Sequence, residues 1–201
     1  MAYDVIALSA PILFHPLPRA EPLSLVAARI IVVMGVSSSG KSVTGKAIAR
    51  RLHAPFLDGD DYHPDLNKEK MRAGTPLSDE DRWPWLRTLA RALHEAAERK
   101  GVAVGACSAL KRSYRECLQR EAGEPVLFVY LEGTKELIQQ RAITRVHEYM
   151  PASLVSSQFA TLEVPAKDEN AITLPVSQPV ETIAEHVVKA VPHLKSFRRK
   201  Q

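Results

Sequence analysis

Cysteine is scarce in this 201-residue chain: Cys107 and Cys117 are the only two, without the paired spacing of a zinc site or the framework of a disulfide-stapled domain. They read as free thiols in a reducing compartment, so a cytoplasmic location is expected. Long apolar runs are missing as well. None approaches the roughly 18 residues of a membrane span, which argues for a soluble chain with no membrane partner. Aromatic residues make up only 6%, and no basic groove interleaved with aromatics is present, so no nucleic-acid partner is expected. Nor is there an excess of charge in the body. The formal charge of +4 is matched by four bases near the end, Lys195, Arg198, Arg199 and Lys200, in a stretch (193–201) that reads as a solvated tail.

The length suits one domain with a full core and is short for two. That domain is expected over residues 30–192. Residues 1–29 mix apolar patches with Pro11, Pro16, Pro18 and Pro22 and carry Asp4 and Glu21. They lack the basic start and unbroken apolar stretch of a signal peptide and the Arg-rich, acid-poor character of a mitochondrial presequence. A loosely ordered extension is the expectation.

What is present is a phosphate-binding loop. Residues 35 to 42 read Gly-Val-Ser-Ser-Ser-Gly-Lys-Ser, between the apolar run Ile30-Ile31-Val32-Val33-Met34 and a helical pattern over 41–53. Such a loop turns main-chain N–H groups towards phosphate oxygens and adds the positive end of the following helix. Lys41 is placed to reach the β and γ phosphates and the Ser42 hydroxyl to ligate magnesium. Downstream, short apolar runs alternate with helical patterns, which predicts an α/β fold with a parallel sheet covered on both faces. Strands are predicted over 29–35, 55–58, 102–107, 126–131 and 171–176. Helices are predicted over 41–53, 64–72, 79–100, 111–121, 134–145, 152–162 and 180–191. The clearest is 79–100, with Ser78 and Asp81 as a capping pair and Gly101 as the stop.

Phosphoryl transfer also needs a carboxylate for magnesium, and often a second to orient or deprotonate the attacking hydroxyl. The second predicted strand ends in Asp58-Gly59-Asp60-Asp61-Tyr62-His63. If the chain stays extended there, Asp58 and Asp60 point the same way, towards the loop; His63 is a further candidate for substrate contact. Bases cluster with turn residues at Asp79-Glu80-Asp81-Arg82, at Ser108 to Lys111 with Tyr114-Arg115, and at Arg141 and Arg145, one helical turn apart before a long polar connection. A GTPase switch is disfavoured: no Asn-Lys-x-Asp motif occurs, and the third strand ends in Cys107-Ser108 rather than an aspartate.

Together these segments resemble the gluconokinase family, P-loop small-metabolite kinases related to shikimate kinase. The resemblance spans about residues 30–191 and rests on collinear blocks: Met34 to Ser42; Phe56 to Pro64 with Asn67, Lys70-Met71 and Gly74; Pro76-Leu77, Asp79, Asp81-Arg82 and Pro84-Trp85-Leu86; Cys107 to Lys111 with Tyr114-Arg115; and Ser157-Gln158-Phe159, Thr161-Leu162-Glu163 and Pro165. It implies a P-loop NTPase of nucleoside-monophosphate-kinase-like, three-layer form, with a five-stranded parallel sheet, a lid at about 142–157, and a homodimer. It also implies phosphorylation of D-gluconate to 6-phospho-D-gluconate with ATP and Mg2+. On that resemblance Gly35, Ser37, Ser38, Ser39, Gly40, Lys41, Ser42, Arg141 and Arg145 contact the nucleotide, and Ser42 and Asp58 serve the metal. Asp60 engages the acceptor hydroxyl, and Arg82 and Lys111 suit a sugar-acid carboxylate, for which a guanidinium fork is the best match. Lys41, Asp60 and Arg82 form the catalytic set. Another sugar acid or polyol as acceptor, or a nucleotide-binding paralogue with impaired turnover, are the alternatives. Two departures stand out: Ser38 replaces the family's usual Gly, and His147-Glu148 replaces Gly-His in the lid, placing a negative side chain near phosphate.

Overall fold

A computed structural model describes residues 27–144, 152–191 and 194. The expected N-terminal extension up to residue 26, lid residues 145–151 with Arg145, His147 and Glu148, and the bases of the C-terminal tail lie outside these described residues.

Five parallel strands, Ile30–Met34 (β1), Phe56–Asp58 (β2), Ala103–Ala106 (β3), Val126–Glu132 (β4) and Ala171–Pro175 (β5), lie in the order β2-β3-β1-β4-β5. All five residues of β1 are buried. The unbroken apolar run at 30–34 thus belongs to a central strand covered on both faces. Ile31 and Val33 pack with Ala47, Ile48 and Leu52 of helix α1 (Lys41–Leu52) and with Ile183 and Val187 of α7 (Val180–Ala190). Ile30, Val32 and Met34 face the other way, onto Leu86, Leu89 and Leu93 of α3 (Asp79–Lys100) and Tyr114 and Leu118 of α4 (Arg112–Ala122). Each large aliphatic side chain so buried contributes roughly 1.5–3 kcal/mol. The result is a helix–sheet–helix sandwich whose central strand delivers the chain to the phosphate loop at the carboxyl edge, flanked by β3 and β4. The remaining helices are α2 (Asp65–Arg72), α5 (Lys135–Thr144) and α6 (Ala152–Thr161). No helix among the described residues is long and apolar enough to cross a membrane.

Local signals explain the elements that bear on the site. The Ser78 hydroxyl and Asp81 carboxylate form the expected capping box at the start of α3, and Gly101 ends that helix at φ 79°. Lys111 is not the first residue of α4 but its N-cap. Arg115, read from sequence as one more base near the site, is instead 1% exposed. Its Nε and Nη2 donate to the Glu169 carboxylate at 2.5 and 2.9 Å, and Nη1 donates to the carbonyls of Ala109, Leu110 and Glu163 at 3.0, 3.2 and 3.0 Å. A charge is tolerated inside a protein when it is paired and hydrogen-bonded in this way. Arg115 therefore clamps the segment leading to β5 onto the loop after β3.

Candidate active site

The phosphate loop is shaped by three left-handed residues, Gly35 (φ 135°), Ser38 (φ 63°) and Gly40 (φ 92°). A Cβ on Gly35 would lie 3.1 Å from the Leu131 carbonyl, so conformation and space both require glycine there. Ser38 occupies a conformation that costs an ordinary L-residue about 1–2 kcal/mol, which gives a physical reason for the family's usual Gly. The loop is tied to the sheet by Gly35 N–H donating to the Ser108 carbonyl at 3.2 Å. Helix α1 opens without a side-chain cap or an acidic residue in its first turn. The Ser39 hydroxyl is buried without a hydrogen-bond partner among the described residues. Uncapped N–H donors at a helix start, with a buried hydroxyl and an ammonium beside them, suit a polyphosphate. Lys41 Nζ donates to the Val36 carbonyl at 2.9 Å.

Asp60 reaches the cavity it shares with Lys41 for a different reason from the one the sequence suggests. The chain does not stay extended: β2 stops at Asp58, and Gly59–Tyr62 form a 3₁₀ turn in which the Asp58 carboxylate accepts the Asp60 N–H at 3.3 Å. Asp58 thus caps the turn that presents Asp60. Gly59 is required by close approach, since a Cβ there would come within 2.5 Å of the Ala106 carbonyl. The indole N–H of buried Trp85 donates to the Gly59 carbonyl at 2.6 Å and holds the turn from α3. Asp60 is open to the cleft, yet the cleft walls crowd its carboxyl and raise its pKa above the ordinary aspartate value. Asp58 and Asp61 push the same way, and Lys41 opposes them. A carboxylate so raised is a better proton acceptor than an ordinary aspartate.

Lys41, Asp60, His63 and Arg82 line one cavity of about 90 Å³ together with Ser37 and Gln158. His63 is buried, stacked on Trp85 with ring centroids 3.9 Å apart, and its pKa is pushed down to about 4 by burial first, then by Arg82 and Lys68. It is neutral at physiological pH and cannot serve as a cationic substrate anchor. The Arg82 guanidinium is held by the Leu77 carbonyl at 2.5 Å and lies 3.4 Å from the Tyr114 hydroxyl. Lys111 stands apart from these four. It lines an adjoining cavity of about 220 Å³, shared with Arg82 and Gln158, and its ammonium is held by both oxygens of Asp79 at 2.9 and 2.7 Å. That pair lowers the Asp79 pKa and raises that of Lys111. On the other side of the loop, Ser38, Ser39, Gly40 and Arg141 line a third cavity of about 440 Å³ with Val176 and Pro179. There Arg141 donates to the Val176 carbonyl at 2.9 Å. Cys107, at the end of β3, is buried and its thiol is pushed up to about 12, so it is no nucleophile.

Sequence reasoning gave no role to Trp85, Ser108, Asp79 or Gln158. The first had a readable signal: an indole N–H on the buried face of a helix needs an acceptor. Ser108 and Asp79 lie far along the chain from Gly35 and Lys111, which they hold, and nothing local in their segments marks that pairing.

The sequence matches the family model described as an AAA domain over residues 30–165. It is 41% identical over 176 residues to a probable gluconokinase of Xenopus tropicalis, covering 79% of this chain and 90% of that protein. It is 39% identical to the thermoresistant gluconokinase of Escherichia coli strain K12, covering 81% and 93%. Among solved structures, a gluconokinase from Sinorhizobium meliloti 1021 superposes with a TM-score of 0.72 at 39% identity, covering 85% of this chain and 97% of that one. Shikimate kinase from Aquifex aeolicus shares the fold, with a TM-score of 0.56 at 15% identity, covering 81% and 96%. A P-loop kinase fold, a loop and carboxylate facing one cavity, and close identity across most of both chains place this protein in the gluconokinase family.

Proposed function

We propose that the protein transfers the γ-phosphoryl group of ATP to the terminal hydroxyl of D-gluconate, giving 6-phospho-D-gluconate and ADP. The observation that carries this reading is the single cavity in which the loop lysine Lys41 and the crowded carboxylate Asp60 meet Arg82. The triphosphate lies along the loop, with its nucleoside end in the cavity beside Arg141 and its transferable end towards Asp60. The acceptor hydroxyl oxygen attacks phosphorus as the bond to the ADP oxygen breaks, and its proton passes to the Asp60 carboxylate. Lys41 and the loop N–H groups stabilise the charge that accumulates on the ADP side. Arg82, whose guanidinium borders the cavity, grips the acceptor's carboxylate, with Lys111 behind it. Ser42 and Asp58 are the residues that would hold Mg2+, which neutralises phosphate charge when bound. Two buried free thiols support a reducing, cytoplasmic setting, and the family resemblance supports a homodimer.

The test is acceptor-dependent ADP release by the purified protein with ATP, Mg2+ and a panel of sugar acids and neutral polyols. Gluconate is expected to give the highest kcat/KM and sorbitol little turnover. ADP release that does not depend on any acceptor, or equal use of sorbitol, would overturn the assignment.

A further inference from the structure

Helix α6 reaches the phosphate loop through one side chain that the reaction as described does not use. The Gln158 carboxamide makes a two-point contact with Ser37: Oε1 accepts the Ser37 N–H at 2.6 Å, and Nε2 donates to the Ser37 hydroxyl at 3.1 Å. Ser37 sits at the junction of the two sides of the loop. It lines the cavity of Lys41 and Asp60, whereas Ser38, Ser39 and Gly40 line the nucleotide-side cavity. Ser37 therefore borders the space in which Lys41 and Asp60 meet. Gln158 borders both the Asp60 cavity and the adjoining Lys111 cavity. Its helix is also tied to α5, which carries Arg141, through Gln139 Nε2 donating to the Ser156 hydroxyl at 3.3 Å. The carboxamide is thus held at Ser37 and its helix at α5.

We infer that Gln158 is a positioning residue for the chemical step: by gripping Ser37 at main chain and hydroxyl together, it fixes the aim of the loop's donors where charge shifts during transfer. An amide suits this place because it accepts and donates without adding charge. A carboxylate would accept the same N–H but would set a negative group beside the transferring phosphoryl. Misdirecting a preorganised donor costs mainly transition-state stabilisation, so the loss belongs in kcat and not in the binding of either substrate. The inference rests on the phosphoryl-transfer reading above.

The experiment compares wild type with Gln158→Met, which keeps the length and removes both hydrogen bonds, and with Gln158→Glu. Kinetics with ATP and gluconate are followed from pH 5.5 to 8.5, alongside ADP affinity and thermal unfolding. Gln158 is half-exposed, so both variants are expected to fold. For Gln158→Met a fall in kcat of about 10–100-fold is expected, with the KM for gluconate and the ADP affinity within about threefold. Gln158→Glu should be worse than Gln158→Met at pH 8.5 and regain about tenfold, relative to wild type at the same pH, as its carboxyl protonates towards pH 5.5. The charged and titratable groups sharing its cavities, Lys41, Asp60, His63, Asp79, Arg82 and Lys111, are present in all three proteins, so the ratio to wild type reads the charge added at position 158 together with its effect on Asp60. A kcat within threefold of wild type, a loss confined to the KM for gluconate, or a Gln158→Glu deficit that is flat with pH would overturn the inference. If wild type leaves gluconate untouched, the proposed function fails instead, and the same ratios measured with the acceptor that supports the fastest ADP release then decide the role of Gln158.

Discussion

On the proposed nucleotide side of the loop the donors are main-chain N–H groups and the uncapped start of α1, set by left-handed residues at 35, 38 and 40. On the proposed acceptor side the polar groups are side chains that follow β2 or stand on α3 and α6, held by separate hydrogen bonds: Trp85 N–H to the Gly59 carbonyl, Arg82 to the Leu77 carbonyl, and the Ser37 N–H to Gln158. Backbone conformation supplies precision on the first side and side-chain anchoring on the second. Changes on the nucleotide side should therefore act through phosphate binding. Changes on the acceptor side should act through catalysis, acceptor affinity and the stability of the wall.

The largest effects separate the two sides at the point of transfer. Asp60→Asn is expected to lower kcat by about 10²–10⁴-fold, as for loss of a general base. Lys41→Ala should lower it by at least about 10²–10³-fold through loss of charge stabilisation, with thermal unfolding little changed in either variant. Coupled-assay kinetics on both proteins check this, and activity within tenfold of wild type in either would break the assignment of its side.

Next is a pH effect peculiar to the acceptor wall. His63 has a folded-state pKa of about 4 against an ordinary value of 6.5, so the unfolded chain binds the proton more readily. The stability contributed by neutral His63 is complete above about pH 6.5 and is lost as pH falls towards 4, by about 3 kcal/mol in all. Urea unfolding of wild type and His63→Phe at pH 7 and pH 4.5 should show a steeper acid loss for wild type. Parallel losses would mean that the stacked imidazole titrates normally. Arg82→Ala should raise the KM for gluconate by roughly tenfold to 100-fold, the equivalent of a charge-assisted hydrogen bond at about 1.5–3 kcal/mol, and leave the KM for ATP within twofold. A shift in the ATP term instead would move Arg82 to the other side of the loop. The smallest effect concerns Ser38→Gly. Relief of a left-handed serine is partly offset by the greater freedom of glycine in the unfolded chain, so stability should rise by less than about 1 kcal/mol and kcat stay within twofold. A loss of stability would show that the Ser38 side chain contributes more than its backbone costs.

The same contrast governs what could be read from sequence. The loop was legible because its chemistry is local: eight consecutive residues between a buried strand and a helix dictate the geometry. The strands and helices followed from apolar periodicity, and the start and stop of α3 from Ser78, Asp81 and Gly101, because caps are local too. The acceptor wall is assembled from segments tens of residues apart, and there local reasoning failed in specific ways. Extended backbone beyond the strand at 55–58 would align Asp60 with Asp58, whereas the Asp58 cap and the Trp85 anchor impose a 3₁₀ turn. Local reasoning groups Arg115 with the bases near the site, but burial and pairing with Glu169 make it structural.

The most direct test of a loop with two separable sides is calorimetric titration of ADP with Mg2+ into Asp60→Asn, Lys41→Ala and wild type under one buffer condition. Asp60→Asn is expected to bind ADP within about twofold of wild type despite its lost turnover, and Lys41→Ala at least about tenfold more weakly. Equal weakening in both variants, or an Asp60→Asn protein that loses ADP affinity in step with kcat, would contradict that separation.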